Sequence, residues 1–213
     1  TDCKVCSAGK YSTDTGRTTD CDQRCIAGKY NNDTANADQH NNISVCAECN
    51  AGTYAGATGT ANCDICSAGK YSTKVGRTTD CDHSCIAGKY ISDTTNGNKH
   101  DDEADCKVCG FGHYNEQVGQ GLCKKCPTGR FLADYDGTVN LHNEFVDCTI
   151  CSANKFQDAT GQKKCEPCPD SQEIKDDGDI QNKHISEDNC TMPAGAGGGT
   201  SCLSTQWNDN SGC

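Results

Sequence analysis

The chain has 213 residues, a formal net charge of −11 and 21 cysteines, and only 33% of its residues are apolar even with the cysteines counted. That charge excludes the basic patches nucleic-acid binding needs. The scarcity of Leu, Val, Ile and Phe excludes a core of the size usual for this length, and no apolar run approaches the roughly 18 residues of a membrane-crossing helix.

Something other than a core must therefore oppose chain entropy. Cysteine at about a tenth of the residues points to a disulfide scaffold, in which closing a 15-residue loop contributes about 3 kcal/mol. Disulfides in this number place the chain in an oxidising compartment, secreted or at the cell surface. A secreted chain needs a leader, and Thr1-Asp2-Cys3 already lies inside the repeat pattern, so residue 1 is expected to follow truncation or processing.

Residues 6–30 read CSAGKYSTDTGRTTDCDQRCIAGKY and residues 66–90 read CSAGKYSTKVGRTTDCDHSCIAGKY. Only Asp14/Lys74, Thr15/Val75, Gln23/His83 and Arg24/Ser84 differ between them, and such a recurrence at a fixed offset is the signature of a repeat architecture. The cysteines form nine close pairs: 3/6, 21/25, 46/49, 63/66, 81/85, 106/109, 123/126, 148/151 and 165/168, followed by Cys190, Cys202 and Cys213. Between the pairs run short loops, opening at Cys6, Cys49, Cys66, Cys109 and Cys151, and long loops, opening at Cys25, Cys85, Cys126 and Cys168. Four divisions follow: a cysteine-rich unit at 1–62, a second at 63–122, a diverged third at 123–190, and a Gly-rich arm with a terminal Cys/Trp module at 191–213.

Three residues after each opening cysteine stands Gly9, Gly28, Gly52, Gly69, Gly88, Gly112 or Gly129, and in the eighth loop Asn154. Asn is the residue after Gly that best tolerates positive φ, so a left-handed turn is expected there. Two residues later comes an aromatic: Tyr11, Tyr30, Tyr54, Tyr71, Tyr90, Tyr114, Phe131 or Phe156. This row reads either as a ligand-binding strip or as rings each covering its own disulfide, and the fixed spacing to Cys favours the second. The short loops also carry Gly16, Gly59, Gly76, Gly119 and Gly161 ten residues after the cysteine. That suits a small hairpin reversing there, with strands of three or four residues such as 10–13. Almost no helix is expected. The long loops carry surplus Asn, Asp, Thr and His, expected as surface insertions, and the ninth loop lacks both the Gly and the aromatic. Beyond it lie a flexible Gly-rich segment and Cys202 and Cys213, which bracket Trp207.

C-x2-C followed by x-x-G-x-Y, repeated along 3–190, resembles the ephrin-receptor-like cysteine-rich repeat and the loop-forming half of TNF-receptor cysteine-rich modules. The clauses CSAGKYST and CIAGKY are similar to tandem arrays in surface proteins of single-celled eukaryotes, and the mixture of C-x2-C with C-x3-C resembles ciliate immobilisation antigens, which are lipid-anchored coat proteins. The resemblance implies small disulfide-rich modules, irregular apart from short β-hairpins, stacked into an elongated rod. It also implies that the cysteine before x-x-G-x-Y pairs with the next one along: Cys6–Cys21, Cys25–Cys46, Cys49–Cys63, Cys66–Cys81, Cys85–Cys106, Cys109–Cys123, Cys126–Cys148, Cys151–Cys165 and Cys168–Cys190. Spacing alone also permits an interleaved pattern such as Cys3–Cys21 with Cys6–Cys25. In the consecutive pattern Cys202 closes on Cys213, and Cys3 has no partner within the chain; its partner is expected in a preceding module or a neighbouring molecule.

Other chemistry reads weakly. Repeated C-x2-C is also a zinc signature and a redox-thiol signature, but nine pairs in a secreted context speak against both. His40 and His100, equivalent across the repeat, suit a metal or pH-switch role or a polar surface loop, and the surface loop is expected. Asp101-Asp102-Glu103 and Asp176-Asp177-Gly178-Asp179 do not match a calcium loop. No catalytic constellation, metal site or cofactor is expected. Sequons at Asn32, Asn42 and Asn189 mark N-glycan acceptors, and Ser and Thr offer O-glycan sites. The chain therefore reads as a structural segment of a secreted glycoprotein that builds a filament, flagellar hair (mastigoneme) or cell coat, partnered by copies of itself or other coat proteins. The alternative is a ligand-binding or adhesion ectodomain of a receptor or lipid-anchored surface antigen.

Overall fold

The structure, a computed structural model, describes residues 3–134, 138–175 and 179–193. The Gly-rich arm from 194 onward, with Cys202, Trp207 and Cys213, lies outside the described residues, as do Asp176, Asp177 and Gly178.

Nine disulfides divide the described chain into nine consecutive loops: loop 1 is Cys6–Cys21, loop 2 Cys25–Cys46, loop 3 Cys49–Cys63, loop 4 Cys66–Cys81, loop 5 Cys85–Cys106, loop 6 Cys109–Cys123, loop 7 Cys126–Cys148, loop 8 Cys151–Cys165 and loop 9 Cys168–Cys190. Their Cα–Cα distances run from 5.1 Å to 5.9 Å, within the ordinary range of a bridge. Cys3 is free and exposed.

Loops 1 to 8 each carry one antiparallel hairpin with two-residue strands, shorter than the sequence suggests. In loop 1, Lys10–Tyr11 pairs with Gln23–Arg24, and in loop 5, Lys89–Tyr90 pairs with Lys107–Val108. The second strand always lies between the two cysteines of the next pair, which leaves room for only two or three residues and sets the strand length. The turn that starts each hairpin needs the left-handed region, which Gly enters without steric cost. Gly9, Gly28, Gly52, Gly69, Gly88, Gly112 and Gly129 have φ between 65° and 83°, and Asn154 has φ 61°.

The same turn joins each loop to the next. The Gly N–H donates to the carbonyl of the residue after the next loop's aromatic: Gly9 to Asn31, Gly28 to Ala55, Gly52 to Ser72, Gly69 to Ile91, Gly88 to Asn115, Gly112 to Leu132 and Gly129 to Gln157, at 2.7–3.0 Å. Its carbonyl accepts from the next loop's opening cysteine N–H, from Cys25 on Gly9 through Cys151 on Gly129, at 2.7–3.1 Å. The glycine's bare Cα backs onto the loop after that. A Cβ on Gly52 would lie 2.1 Å from the Gly97 carbonyl oxygen, and one on Gly112 2.2 Å from that of Gly161. Each loop is thus bonded to its successor and packed on the loop beyond, so backbone hydrogen bonds across junctions do work that a core does elsewhere.

The long loops are not loose insertions. Among the described residues they hold all eight short 3-10 helices, two per long loop, as in Ala37–His40 with Ile43–Val45 and Gly97–Lys99 with Glu103–Asp105. Asn36, Asn42, Asn96 and Asp102 cap four of these, their side chains accepting backbone N–H bonds. The acidic run 101–103 belongs to this capping: Asp105 accepts from the N–H groups of Asp101 and Asp102.

The interior lies between loops. The residue after each aromatic is buried throughout: Ser12, Asn31, Ala55, Ser72, Ile91, Asn115, Leu132 and Gln157. Three of the aromatics pack against the disulfide of the next loop. Tyr71 of loop 4 packs against Cys85, Ile91 and Cys106 of loop 5; Tyr114 of loop 6 against Cys126, Leu132 and Cys148 of loop 7; Phe156 of loop 8 against Cys168, Ile174 and Cys190 of loop 9. The hairpin throws the ring forward onto the neighbour, where it covers the sulfurs and a buried aliphatic side chain.

Candidate functional site

The expected surface position of the histidines is overturned. His40, His100, His142 and His184, one in each long loop, are 0–3% exposed. Each Nδ1 donates to a backbone carbonyl in the preceding short loop: His40 to Lys10 at 2.7 Å, His100 to Lys70 at 2.7 Å, His142 to His113 at 2.8 Å and His184 to Lys155 at 2.6 Å. A carbonyl only accepts, so Nδ1 carries a proton in each ring, and in His100, where Nε2 also faces a carbonyl, Nε2 donates as well. In loops 2, 5 and 7 the opposite nitrogen turns toward an aspartate of its own loop. His40 Nε2 lies 3.4 Å from Asp33 Oδ1, His142 Nε2 3.7 Å from Asp134 Oδ2, and His100 Nε2 2.6 Å from the Asp93 carbonyl oxygen. Burial between loops makes these imidazoles joints. The signal was present in the sequence: each stands six residues before the cysteine that closes its loop.

A second joint serves the near-identical stretch. Asp80 Oδ1 accepts from the N–H groups of Ser67 and Cys81, and its Oδ2 meets Lys70 Nζ at 2.8 Å. Partial burial works against the charge of this carboxylate, but the bonds from Lys70, Ser67 and Cys81 outweigh it and hold its pKa down at about 2. Asp20 does the same in the first copy: the Lys10 ammonium, with the Ser7 and Cys21 amides, holds its carboxyl well below the usual range. The Lys of the G-K-Y clause in loops 1 and 4 therefore ties one arm of its loop to the other.

Exposed features are distributed along the chain. Ile26 and Ile86, equivalent across the repeat, are half exposed, and Val75, Val118 and Leu122 are more so. Single exposed apolar side chains are ordinary on protein surfaces. Asn32 and Asn42 are exposed and Asn189 is half-buried beside Cys190. Asn42 Oδ1 accepts from the Ser44 N–H at 2.8 Å and from the Ser44 hydroxyl, so this sequon is already folded into a turn. The closest group of metal-type ligand atoms among the described residues, Cys66, Asp80 and Cys81, spends both sulfurs in one disulfide and keeps one carboxylate.

The geometry is that of small loops closed by consecutive bridges and linked through a left-handed Gly. Residues 97–140 and 137–178 match the family model described as "Tyrosine-protein kinase ephrin type A/B receptor-like". These two segments are similar to ephrin-receptor-like repeats. They run from the first 3-10 helix of loop 5, through loops 6 to 8, into loop 9. The near-identical stretches at 6–30 and 66–90 lie ahead of the match but use the same turns, pairings and junction bonds as the ephrin-receptor-like segment. No curated protein matches the chain. The density of disulfides together with ephrin-receptor-like repeats marks an extracellular or cell-surface module, and no helix among the described residues is long and apolar enough to cross a membrane.

Proposed function

We propose that this chain is a structural segment of a secreted glycoprotein that builds an extracellular filament, flagellar hair (mastigoneme) or cell coat. The observation that supports the reading most is the uniform junction: the Gly peptide makes the same two bonds to the next loop from loop 1 to loop 7. A junction that repeats without change suits an object whose role is length and regular spacing, and it favours an elongated rod in which each loop leans on its neighbours. Copies of the chain or other coat proteins are the partners, with N-glycans on Asn32 and Asn42, and Asn189 more confined.

The ephrin-receptor-like match favours a second reading, a ligand-binding or adhesion ectodomain. Immunogold electron microscopy with an antibody against this segment separates the two. Gold at regular intervals along extracellular filaments, or across a continuous coat, is the expected result. Gold confined to discrete membrane sites where a soluble ligand co-localises would overturn the structural role.

A further inference from the structure

Two clefts on this molecule are built from the same positions of the loop pattern. The first opens between loops 5 and 6, with a volume of about 570 Å³ and walls that include Tyr90, Phe111, His113, Leu122 and Lys125. The second opens between loops 7 and 8, with a volume of about 200 Å³ and walls that include Phe131, Ile150, Lys155 and Lys164. In both, the long loop supplies its aromatic, Tyr90 or Phe131. The short loop that follows supplies the first residue of its strand, His113 or Lys155, and the residue before its closing cysteine, Leu122 or Lys164.

Loop 8 joins the two. Its Lys163 holds Nζ 5.4 Å from the centre of the Phe111 ring, at the edge of the first cleft, and the next residue, Lys164, lines the second. Gly161 lies beside the Lys125 and His113 side chains, so that a Cβ there would stand 3.3 Å from one and 3.4 Å from the other. Lys125, Lys155 and Lys163 are exposed and form no ion pair among the described residues. Their neighbours are neutralised: Lys124 meets Glu116 at 2.8 Å and Lys164 meets Glu166 at 3.2 Å.

The corresponding junction nearer the start of the chain lacks this set. Between loops 2 and 3 the same positions are Tyr30, Thr53 and Asn62, with Ile65 in place of Lys125. Between loops 3 and 4 the lysine is present as Lys70, but Asp80 holds it at 2.8 Å. Phe111 is also out of pattern, since Ala8, Ala27, Ala51, Ala68, Ala87 and Ala153 take its place in other loops. A chain of net charge −11 thus gathers unpaired ammonium groups and aromatic rings along one track.

We propose that this track, from loop 5 to loop 8, binds an acidic polysaccharide, a chain of sugar rings that carry carboxylate or sulfate groups. Tyr90, Phe111 and Phe131 supply apolar ring surface against which the C–H faces of sugars pack. Lys125, Lys163 and Lys155 supply point charges on flexible stems, which suit single anions spaced along a polymer better than a bidentate fork does. His113 Nδ1 donates to the Phe111 carbonyl, which leaves Nε2 to accept from a sugar hydroxyl. An acidic peptide would satisfy the lysines, but it has no row of hydroxyls and flat C–H faces to match the rings and His113. The track serves a coat segment and a receptor ectodomain alike, so the inference does not rest on the choice between them.

Titration calorimetry of the intact chain near physiological salt, where long-range charge effects are screened, tests the track with four probes. Polygalacturonate brings carboxylates, dextran sulfate brings sulfates, plain dextran brings neither, and polyglutamate brings carboxylates without sugar. One or both acidic polysaccharides should bind at least about tenfold more tightly than dextran and polyglutamate. Failure of both to bind, or equally tight binding of polyglutamate or dextran, would overturn the proposal. Phe111→Ala, which installs the residue that other loops carry there, should weaken polysaccharide binding about tenfold. Lys163→Gln, at an exposed position whose exchange leaves folding intact, should weaken it about threefold. Binding undiminished by both substitutions would place the contact elsewhere on the chain and overturn the proposal as well.

Discussion

His100 Nδ1 lies 2.7 Å from the Lys70 carbonyl oxygen, thirty residues earlier, and His40 Nδ1 lies at the same 2.7 Å from the Lys10 carbonyl oxygen. Each of these bonds crosses a loop junction at full burial, so one imidazole fixes both the long loop that carries it and the short loop before it. His100→Ala leaves the Lys70 carbonyl without its donor and opens a cavity, a loss of about 1–3 kcal/mol from the unpaired group alone. The Ser72 amide, which donates to the His100 carbonyl, should lose hydrogen-exchange protection with it. Unchanged protection at Ser72 would show that the ring merely fills space.

Two glycines with similar backbone angles should respond differently to alanine. Gly52 has φ 73° and Gly16 φ 72°, so both substitutions carry the left-handed cost of about 1–2 kcal/mol. A Cβ on Gly52 also strikes the Gly97 carbonyl oxygen, whereas one on Gly16 meets no described atom. Gly52→Ala should therefore lower the melting temperature well below that of Gly16→Ala. Equal melting temperatures would refute the close packing of loop 3 on loop 5.

The Asp80 carboxylate gives a pH signature. Its pKa is held down at about 2, below the roughly 3.9 of an unfolded aspartate. A depressed carboxyl contributes stability above the unfolded pKa and loses it as pH falls toward the folded one. The melting temperature of the unaltered chain should exceed that of Asp80→Asn at pH 6, and the gap should shrink between about pH 4 and pH 2. A gap that stays constant across that window would contradict the role given to the Lys70–Asp80 joint.

The bridges should act locally. Replacing Cys126 and Cys148 by Ser removes a bond of the kind that contributes about 2–5 kcal/mol. Loops 6, 7 and 8 share junction bonds, so exchange protection should fall in those three and persist in loops 1 to 4. A collapse of protection along the whole chain would show one cooperative unit instead.

Much of this architecture is legible in the residues. The interchange of Gly and Asn154 three positions after Cys marks the positive-φ turn, because few other residues tolerate it. The consecutive bridges follow from the resemblance to ephrin-receptor-like and TNF-receptor-like modules, because the Cys spacing alone also permits interleaved ones. Position 12 and its equivalents are not legible: Ser, Asn, Ala, Ile, Leu and Gln all occupy a buried site whose requirement is a backbone bond pair, which leaves no compositional trace. The forward throw of Tyr71 onto loop 5 is hidden for a related reason, since spacing tells which cysteine a ring follows but not which one it covers. His40 and His100 read as surface groups because their loops are polar, and their burial becomes visible only through His142 and His184 at the same six-residue distance from the closing cysteine.

Small-angle scattering of the intact chain, in oxidising buffer, tests most directly that stacked loops held by junction bonds build an extended segment. The expected radius of gyration is well above the roughly 17 Å of a compact globule of this length, with a distance distribution skewed to a long tail. A radius near that compact value, with a symmetric distribution, would contradict it.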